Sequence, residues 1–135
     1  MSRRDWFVVY VLHDVLAKVS GVTARAMFGG YGIYTDGVIF AIIVDEQLYC
    51  KVDETNRPQY EARGSQPFVY QRSNHKPTQM PYWQVPEEAL EDPDEMKTWA
   101  LASYQMSQAQ NMKRSSAAAA RRRVSKKSEF RNTED

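Results

Sequence analysis

The sequence predicts an α+β protein, with a mostly antiparallel sheet of five to six strands and flanking helices. Three observations carry this reading. Residues 22–52 are the densest β-favouring run in the chain, and turn signals break it at Gly29-Gly30, Asp36-Gly37 and Asp45-Glu46. Apolar residues at three- and four-residue spacing precede that run over residues 3–19 and follow it from Asp92 onward, marking helices on both sides. Two further β-favouring segments, 67–71 and 78–85, sit between a short helical stretch and the last helix.

Taken in order, the first helix spans residues 3–19. Ser2 is its expected cap, and Trp6, Val9, Tyr10, Leu12, Leu16 and Val19 form its apolar stripe, widened by Val8, Val11 and Val15. Ser20-Gly21 stops it. Four strands follow as a meander, at 22–28, 30–35, 38–44 and 47–52. Asp36-Gly37 is a strong two-residue hairpin signal, because both turn positions need φ > 0. The third strand, VIFAIIV, is apolar at every position and predicts cover on both faces. The fourth alternates, with Leu48, Cys50 and Val52 on one side and Gln47, Tyr49 and Lys51 on the other.

Residues 53–64 read as a short helix with Thr55 as N-cap, Pro58 in the first turn and Gly64 at the end. Pro67-Phe68-Val69-Tyr70-Gln71 is the fifth strand and 72–77 a polar loop. Residues 78–85 are the sixth strand, which Pro81 assigns to an edge or a bulge because proline cannot donate to the ladder. One helical turn at 86–90 precedes the last helix. Asp92, Pro93 and Glu95 make a capping-box start, and Met96, Trp99, Ala100, Ser103 and Met106 form the core stripe, with the helix expected to end near Met112. The six acids from Glu87 to Glu95 suit the positive end of a helix dipole.

Charge divides the chain into two parts. Residues 1–110 hold 10 Lys/Arg against 14 Asp/Glu, a net of −4, and read as one folded domain. Residues 111–135 hold 8 against 3, a net of +5, and read as a basic Ala/Arg-rich tail with little to bury and an expectation of mobility. In that tail Lys113, Arg114, Arg121, Arg122, Arg123, Lys126 and Lys127 follow one another without an intervening acid. They are candidates for weak, sequence-independent contact with a nucleic-acid backbone, and equally suit a solvated tail. No apolar run approaches the ~20 residues that span a bilayer. The lone Cys50 excludes an internal disulfide and fits a reducing compartment. The expectation is a soluble, cytoplasmic protein.

No motif points to catalysis, a cofactor or a metal. Gly29-Gly30-Tyr31-Gly32 lacks the third glycine of a dinucleotide loop and the lysine of a phosphate loop, and the next element is a strand, so these glycines read as turn punctuation. His13 and His75 stand apart from any triad or metal set. Cys50 reads as a small buried hydrophobe. Asp36, Asp45, Glu46, Asp53 and Glu54 are turn residues. Phe28, Tyr31, Tyr34, Phe40, Tyr49, Phe68, Tyr70, Tyr82 and Trp83 could form a stacking platform for bases, but their strand context favours core packing.

The ordered set Met27-Phe28-Gly29-Gly30, Asp36-Gly37, Phe40-Ala41, Leu48-Tyr49, Lys51-Val52-Asp53, Gly64, Pro67-Phe68 and Met80-Pro81-Tyr82-Trp83 resembles the N-terminal domain of the TfoX/Sxy family over residues 5–107. The resemblance implies a two-layer, secretion-chaperone-like fold and a link to transcriptional regulation of competence or DNA-uptake genes. It offers no catalytic residues. Longer family members carry a second, C-terminal domain, where this sequence has its basic segment. The expected function is that of a stand-alone, non-enzymatic regulatory or interaction module with a protein partner, a homodimer included, and weak DNA contact through the tail. The alternatives are a chaperone-like protein binder without a nucleic-acid role, and an enzyme whose site is assembled only in space.

Overall fold

The computed structural model describes residues 3–27, 29–71 and 75–134, with side chains from Asp5 to Arg121. Ser2, Phe28, the 72–74 part of the polar loop and the tail side chains from Arg122 onward, Arg123, Lys126 and Lys127 among them, lie outside the described residues. The elements are α1 (Arg3–Tyr10), a π-helical turn (Val11–Val15), β1 (Val22–Met27), β2 (Gly30–Thr35), β3 (Val38–Val44), β4 (Gln47–Lys51), α2 (Arg57–Ala62), β5 (Pro67–Tyr70), β6 (Thr78–Gln84), α3 (Glu87–Glu91) and α4 (Pro93–Glu134). Six strands form one antiparallel sheet in the order β1-β2-β3-β4-β6-β5, flanked by the helices, which is the predicted α+β fold.

The meander follows from its turns. Asp36 (φ 50°) and Gly37 (φ 75°) both occupy the left-handed region, as do Asp45 (φ 50°) and Glu46 (φ 58°). Turns of that hand match the twist of the strands they join. Between β2 and β3 the register shifts after Ile33, so that β3 holds one residue more than its partner. This β-bulge places Phe40 and Ala41 together on the helix side, both fully buried, whereas strict alternation would have sent one of them outward.

The first helix departs from the prediction. It gives way at Val11 to a π turn, closed by Leu16 N–H donating to the Val11 carbonyl at 2.9 Å. The buried side chains are Val8, Val11, Val15 and Leu16, while Trp6 and Val9, expected in the stripe, face outward. A segment apolar nearly all round leaves the choice of face to packing, and the inserted residue of the π turn shifts the phase of the stripe.

Helix α2 is shorter than predicted and Thr55 does not cap it. Asn56 stands at the N-cap, but its amide turns back to the sheet. Its Oδ1 accepts from Asp53 N–H (2.8 Å) and its Nδ2 donates to the Lys51 carbonyl (3.1 Å). Gly64 ends the helix in the left-handed region (φ 73°), and Ser65 N–H closes back on the Tyr60 carbonyl at 3.1 Å.

Strand β6 is interior, not an edge, because β4 pairs with it and β5 takes the edge. Pro81 is accommodated at the end of the β4 ladder. There its carbonyl accepts from Val52 N–H at 2.9 Å, and on the other side the β5 register shifts between Pro67 and Val69. Asp92 caps α4 as predicted, its Oδ1 accepting from Asp94 and Glu95 N–H at 3.0 and 3.4 Å. The reciprocal half of the capping box is absent, since the Glu95 carboxylate instead meets Arg63 and the Trp99 indole N–H, each at 3.4 Å. The helix runs past Met112, its predicted end, to Glu134.

One core joins Val11, Val15 and Leu16 to Ile33, Phe40, Ile43, Leu48 and Cys50 of the sheet and to Tyr60, Ala89, Met96 and Ala100 of the other helices. Fully burying a side chain of this size is worth about 1.5–3 kcal/mol.

Candidate functional site

The sheet face turned away from this core holds the most distinctive surface of the molecule. The β3 bulge turns Ile39 and Ile42 to that side. Met27 of β1, Phe68 of β5, and Met80 and Tyr82 of β6 converge on the same place, enclosing an apolar groove of about 230 Å³. Gly32 of β2 lies beneath it. A Cβ there would sit 2.5 Å from Met27 Sδ and 3.0 Å from both Ile39 Cδ1 and Tyr34 Cε1, so glycine is what lets these three side chains close over the strand. Tyr49 and Phe68 add a tilted ring pair, 5.1 Å between centroids.

This arrangement answers what covers the second face of the all-apolar strand. Ile42 is 9% exposed and Tyr82 8% exposed within a single chain, so the sheet's own side chains supply the cover. The expectation that the strand aromatics pack in the core holds for Phe40, which is buried there, and for Tyr31 and Trp83, which pack against it. Phe68, Tyr70 and Tyr82 line the groove instead, and Tyr31 reaches it as well.

Cations gather on this face. Lys51 lies directly across from Tyr82 in the β4–β6 ladder. Its ammonium is held below the usual lysine range, first by burial and then by the charge of Arg114. Arg114 also acts on Tyr82, whose hydroxyl burial pushes up to about 12. Arg25 sits over the Tyr34 ring at 5.3 Å. Asp36 and Asp53, which follow β2 and β4, are engaged elsewhere. Asp36 accepts from the Tyr104 hydroxyl (3.3 Å), and Asp53 accepts from Thr55 N–H (2.8 Å).

On the core side of β4, the Lys51 carbonyl accepts from Ser103 Oγ at 2.7 Å. Cys50 is fully buried, as expected for a packing residue, and burial pushes its thiol up to about 12, against smaller opposing effects from Tyr60 and Ser103. Tyr60 is buried with its ring edge-on to Trp99, 4.7 Å between centroids. Its hydroxyl meets no partner in hydrogen-bonding geometry, although it lies near enough to Cys50 and Ser103 for each to act on its ionisation.

Of the residues singled out in the sequence, His13 and His75 are exposed and remote from one another in role. No cluster of three or more His, Cys, Asp or Glu suited to a metal occurs among the described residues. Lys113, Arg114 and Arg121 are exposed on α4, and the charge of Arg114 acts on Lys51. Lys51, Ile39, Ile42 and Met80 were not singled out as site residues. Their one sequence signal is position, Lys51 on the polar side of its strand and the isoleucines in a strand apolar on both sides. No helix among the described residues is long and apolar enough to cross a membrane.

No curated protein matches this chain. A family model described as the TfoX N-terminal domain matches residues 14–107, a segment running from the π turn through all six strands to the packed first part of α4. The chain belongs to the TfoX N-terminal domain family.

Proposed function

We propose that this protein is a non-enzymatic regulatory module of the TfoX N-terminal type, acting in the cytoplasm through contact with another protein chain. The observation that supports this reading is the outer face of α1. Trp6 is 63% exposed and Val9 40% exposed, and Trp6 stacks flat on Tyr10 at 5.8 Å between centroids. Residues three and four apart are neighbours on a helix, so these three make one apolar stripe. Exposed aromatic patches mark contact surfaces, and Trp and Tyr are enriched among the residues that carry interface energy. A regulator of competence or DNA-uptake genes, and a chaperone-like binder alike, would work through such a surface, with a second copy of the chain or a different protein as partner.

Sedimentation velocity at micromolar concentration, together with capture from the native cytoplasm, tests this. The wild-type chain is expected to form a dimer or retain a defined partner, and Trp6→Ser to lose that association while its circular dichroism stays unchanged. A strict monomer whose captured proteins are the same with and without Trp6 would remove the reading.

A second observation favours weak contact with nucleic acid. Helix α4 extends well beyond the sheet-packing stripe that ends at Ser107 and presents Lys113, Arg114 and Arg121 to solvent, ahead of the remaining basic residues of the tail. Deleting residues 111–135 is expected to abolish retardation of duplex DNA and its salt dependence. That dependence has a slope of about 0.9 in log K against log salt for each phosphate contacted. Equal retardation by the truncated chain would refute this role for the tail.

A further inference from the structure

We infer that the free edge of β1 pairs antiparallel with β1 of a second copy of this chain, joining the two sheets into one. The hairpin register shows which backbone groups are free. Met27 and Gly30 face one another with two residues between them. A pair that closes so short a connection exchanges both of its backbone hydrogen bonds, and bonded pairs then alternate along the strands. Met27, Arg25 and Thr23 therefore bond to Gly30, Gly32 and Tyr34, and the N–H and C=O groups of Val22, Ala24 and Ala26 point away from β2. β1 is the last strand on its side of the sheet, and among the described residues no hydrogen bond from outside the ladder reaches these three. Backbone donors and acceptors left in a row like this are a template for another strand.

The two edges of the sheet differ in protection. Edge strands are blunted by shortness, proline, bulges or charge. β5 has four residues, begins at Pro67 and shifts register before Val69. β1 has six residues, no proline and an unbroken register. Its one charge, Arg25, lies over the Tyr34 ring at 5.3 Å, on the face of its own sheet. Self-complementarity selects a second copy as the occupant. With Ala24 facing Ala24 of the second copy, and Val22 facing Ala26, all three free residues of each strand bond at once. That register sets Arg25 across from Thr23, whereas a shift that set Arg25 across from Arg25 would oppose like charges. Ala24 and Ala26 are small, so the seam carries no bulky side chain to hold the strands apart. The same edge serves both copies and β5 guards the other, so the assembly closes at two chains and does not run on into a filament.

This seam is separate from the α1 stripe of the proposed function, and the two stand or fall independently. Sedimentation velocity on the full chain at micromolar concentration is expected to show a dimer. Ala26→Pro removes an N–H that has no internal partner and sets a ring on the edge, where proline is tolerated. It should be a monomer with circular dichroism and Tm close to wild type. Trp6→Ser should keep this dimer and lose only a different protein held by α1. Ala24→Cys reads the register without breaking the seam. Bonded partners in an antiparallel pair lie about 5.5 Å apart between Cα atoms, within reach of a disulfide. Under mild oxidation Ala24→Cys is expected to give a covalent dimer. Ala26→Cys is not, because its counterpart would lie more than about 13 Å away. Cys50 is buried, so the wild-type chain supplies the background.

A wild-type chain that stays monomeric throughout the micromolar range would overturn the proposal. A dimer that survives Ala26→Pro and is dissolved by Trp6→Ser would do so as well, by moving self-association to α1 and leaving the proposed function in place. Cross-linking of Ala26→Cys without that of Ala24→Cys would refute the register and with it the case for a second copy. A monomer from which Ala26→Pro removes a captured protein would show the strand of another protein on this edge, and would overturn the proposal too. If Ala26→Pro does not fold, the cross-linking pattern of the two cysteine variants decides alone.

Discussion

Replacing Gly30 with alanine is expected to destabilise the domain by about 3 kcal/mol or more, enough to lower Tm by roughly 10 °C. Gly30 opens β2, and its φ is not in the left-handed region. What requires glycine here is distance. A Cβ at this position would overlap the backbone carbonyl oxygen of Ile43 and crowd Val44 Cγ2 at 3.3 Å. A side chain can rotate away from such a clash. The Ile43 carbonyl cannot, because β3 is paired on both sides there, to β2 through Tyr31↔Ile43 and to β4 through Ile43↔Leu48. Relief would mean pulling β2 from β3 at the end of the hairpin, which also opens the wall of the groove.

Gly29→Ala is the control. Gly29 does lie in the left-handed region (φ 75°) and has nothing within 4 Å of its would-be Cβ. Alanine there should cost only the conformational penalty of about 1–2 kcal/mol. Urea unfolding of the two variants separates the effects, and a Gly30→Ala cost no larger than that of Gly29→Ala would show that the strands give way easily.

This pair of glycines also shows where sequence reasoning reaches its limit. Both read as punctuation between strands, and for Gly29 that is correct. Gly30 answers to a carbonyl thirteen residues on, which no local pattern reveals. Strand positions were legible because Asp36-Gly37 and Asp45-Glu46 mark turns by backbone chemistry alone. The order of the strands was less so. The interior place of β6 depends on pairing with β4 across an intervening helix and strand, whereas Pro81 argued locally for an edge or a bulge, and the β5–β6 register shift around Pro81 shows the bulge. The bulge at Phe40 was hidden because a strand apolar at every position has no alternation for an extra residue to break.

The same reasoning explains the candidate site. The groove's aromatics and isoleucines read as core because both sides of the sheet use the same residue types. Lys51 and Ser103 lie far apart in sequence, and only the packing of α4 on β4 joins them. The basic run of the tail was plain to see, since a run of charge needs no fold to be recognised.

Stability is expected to fall steeply above pH 9, with Cys50 as the first cause. The thiol's ordinary value is 9.0, and in the folded domain burial pushes it up to about 12. Below pH 9 both folded and unfolded chains keep the proton, so the group contributes no pH dependence. Above it the unfolded chain releases the proton while the folded chain retains it. The folded state then binds more protons, and stability declines as pH rises toward about 12. Each pH unit in that window removes about 1.4 kcal/mol through this one group, against a total of about 5–15 kcal/mol for a typical domain. Tyr60 adds to the decline from about pH 10, its hydroxyl raised first by burial and then by a charge on Cys50. Urea unfolding at pH 8, 9.5 and 10.5 reads the slope. Cys50→Ala should be less stable than wild type at pH 8, because it leaves a cavity beside Leu48 and Val52, yet lose less stability per pH unit above 9. The two curves should therefore converge, and parallel curves would show that the thiol ionises freely in the folded state. A thiol that keeps its proton to such high pH is no nucleophile at neutral pH. The same titration thus tests the assignment of Cys50 to packing.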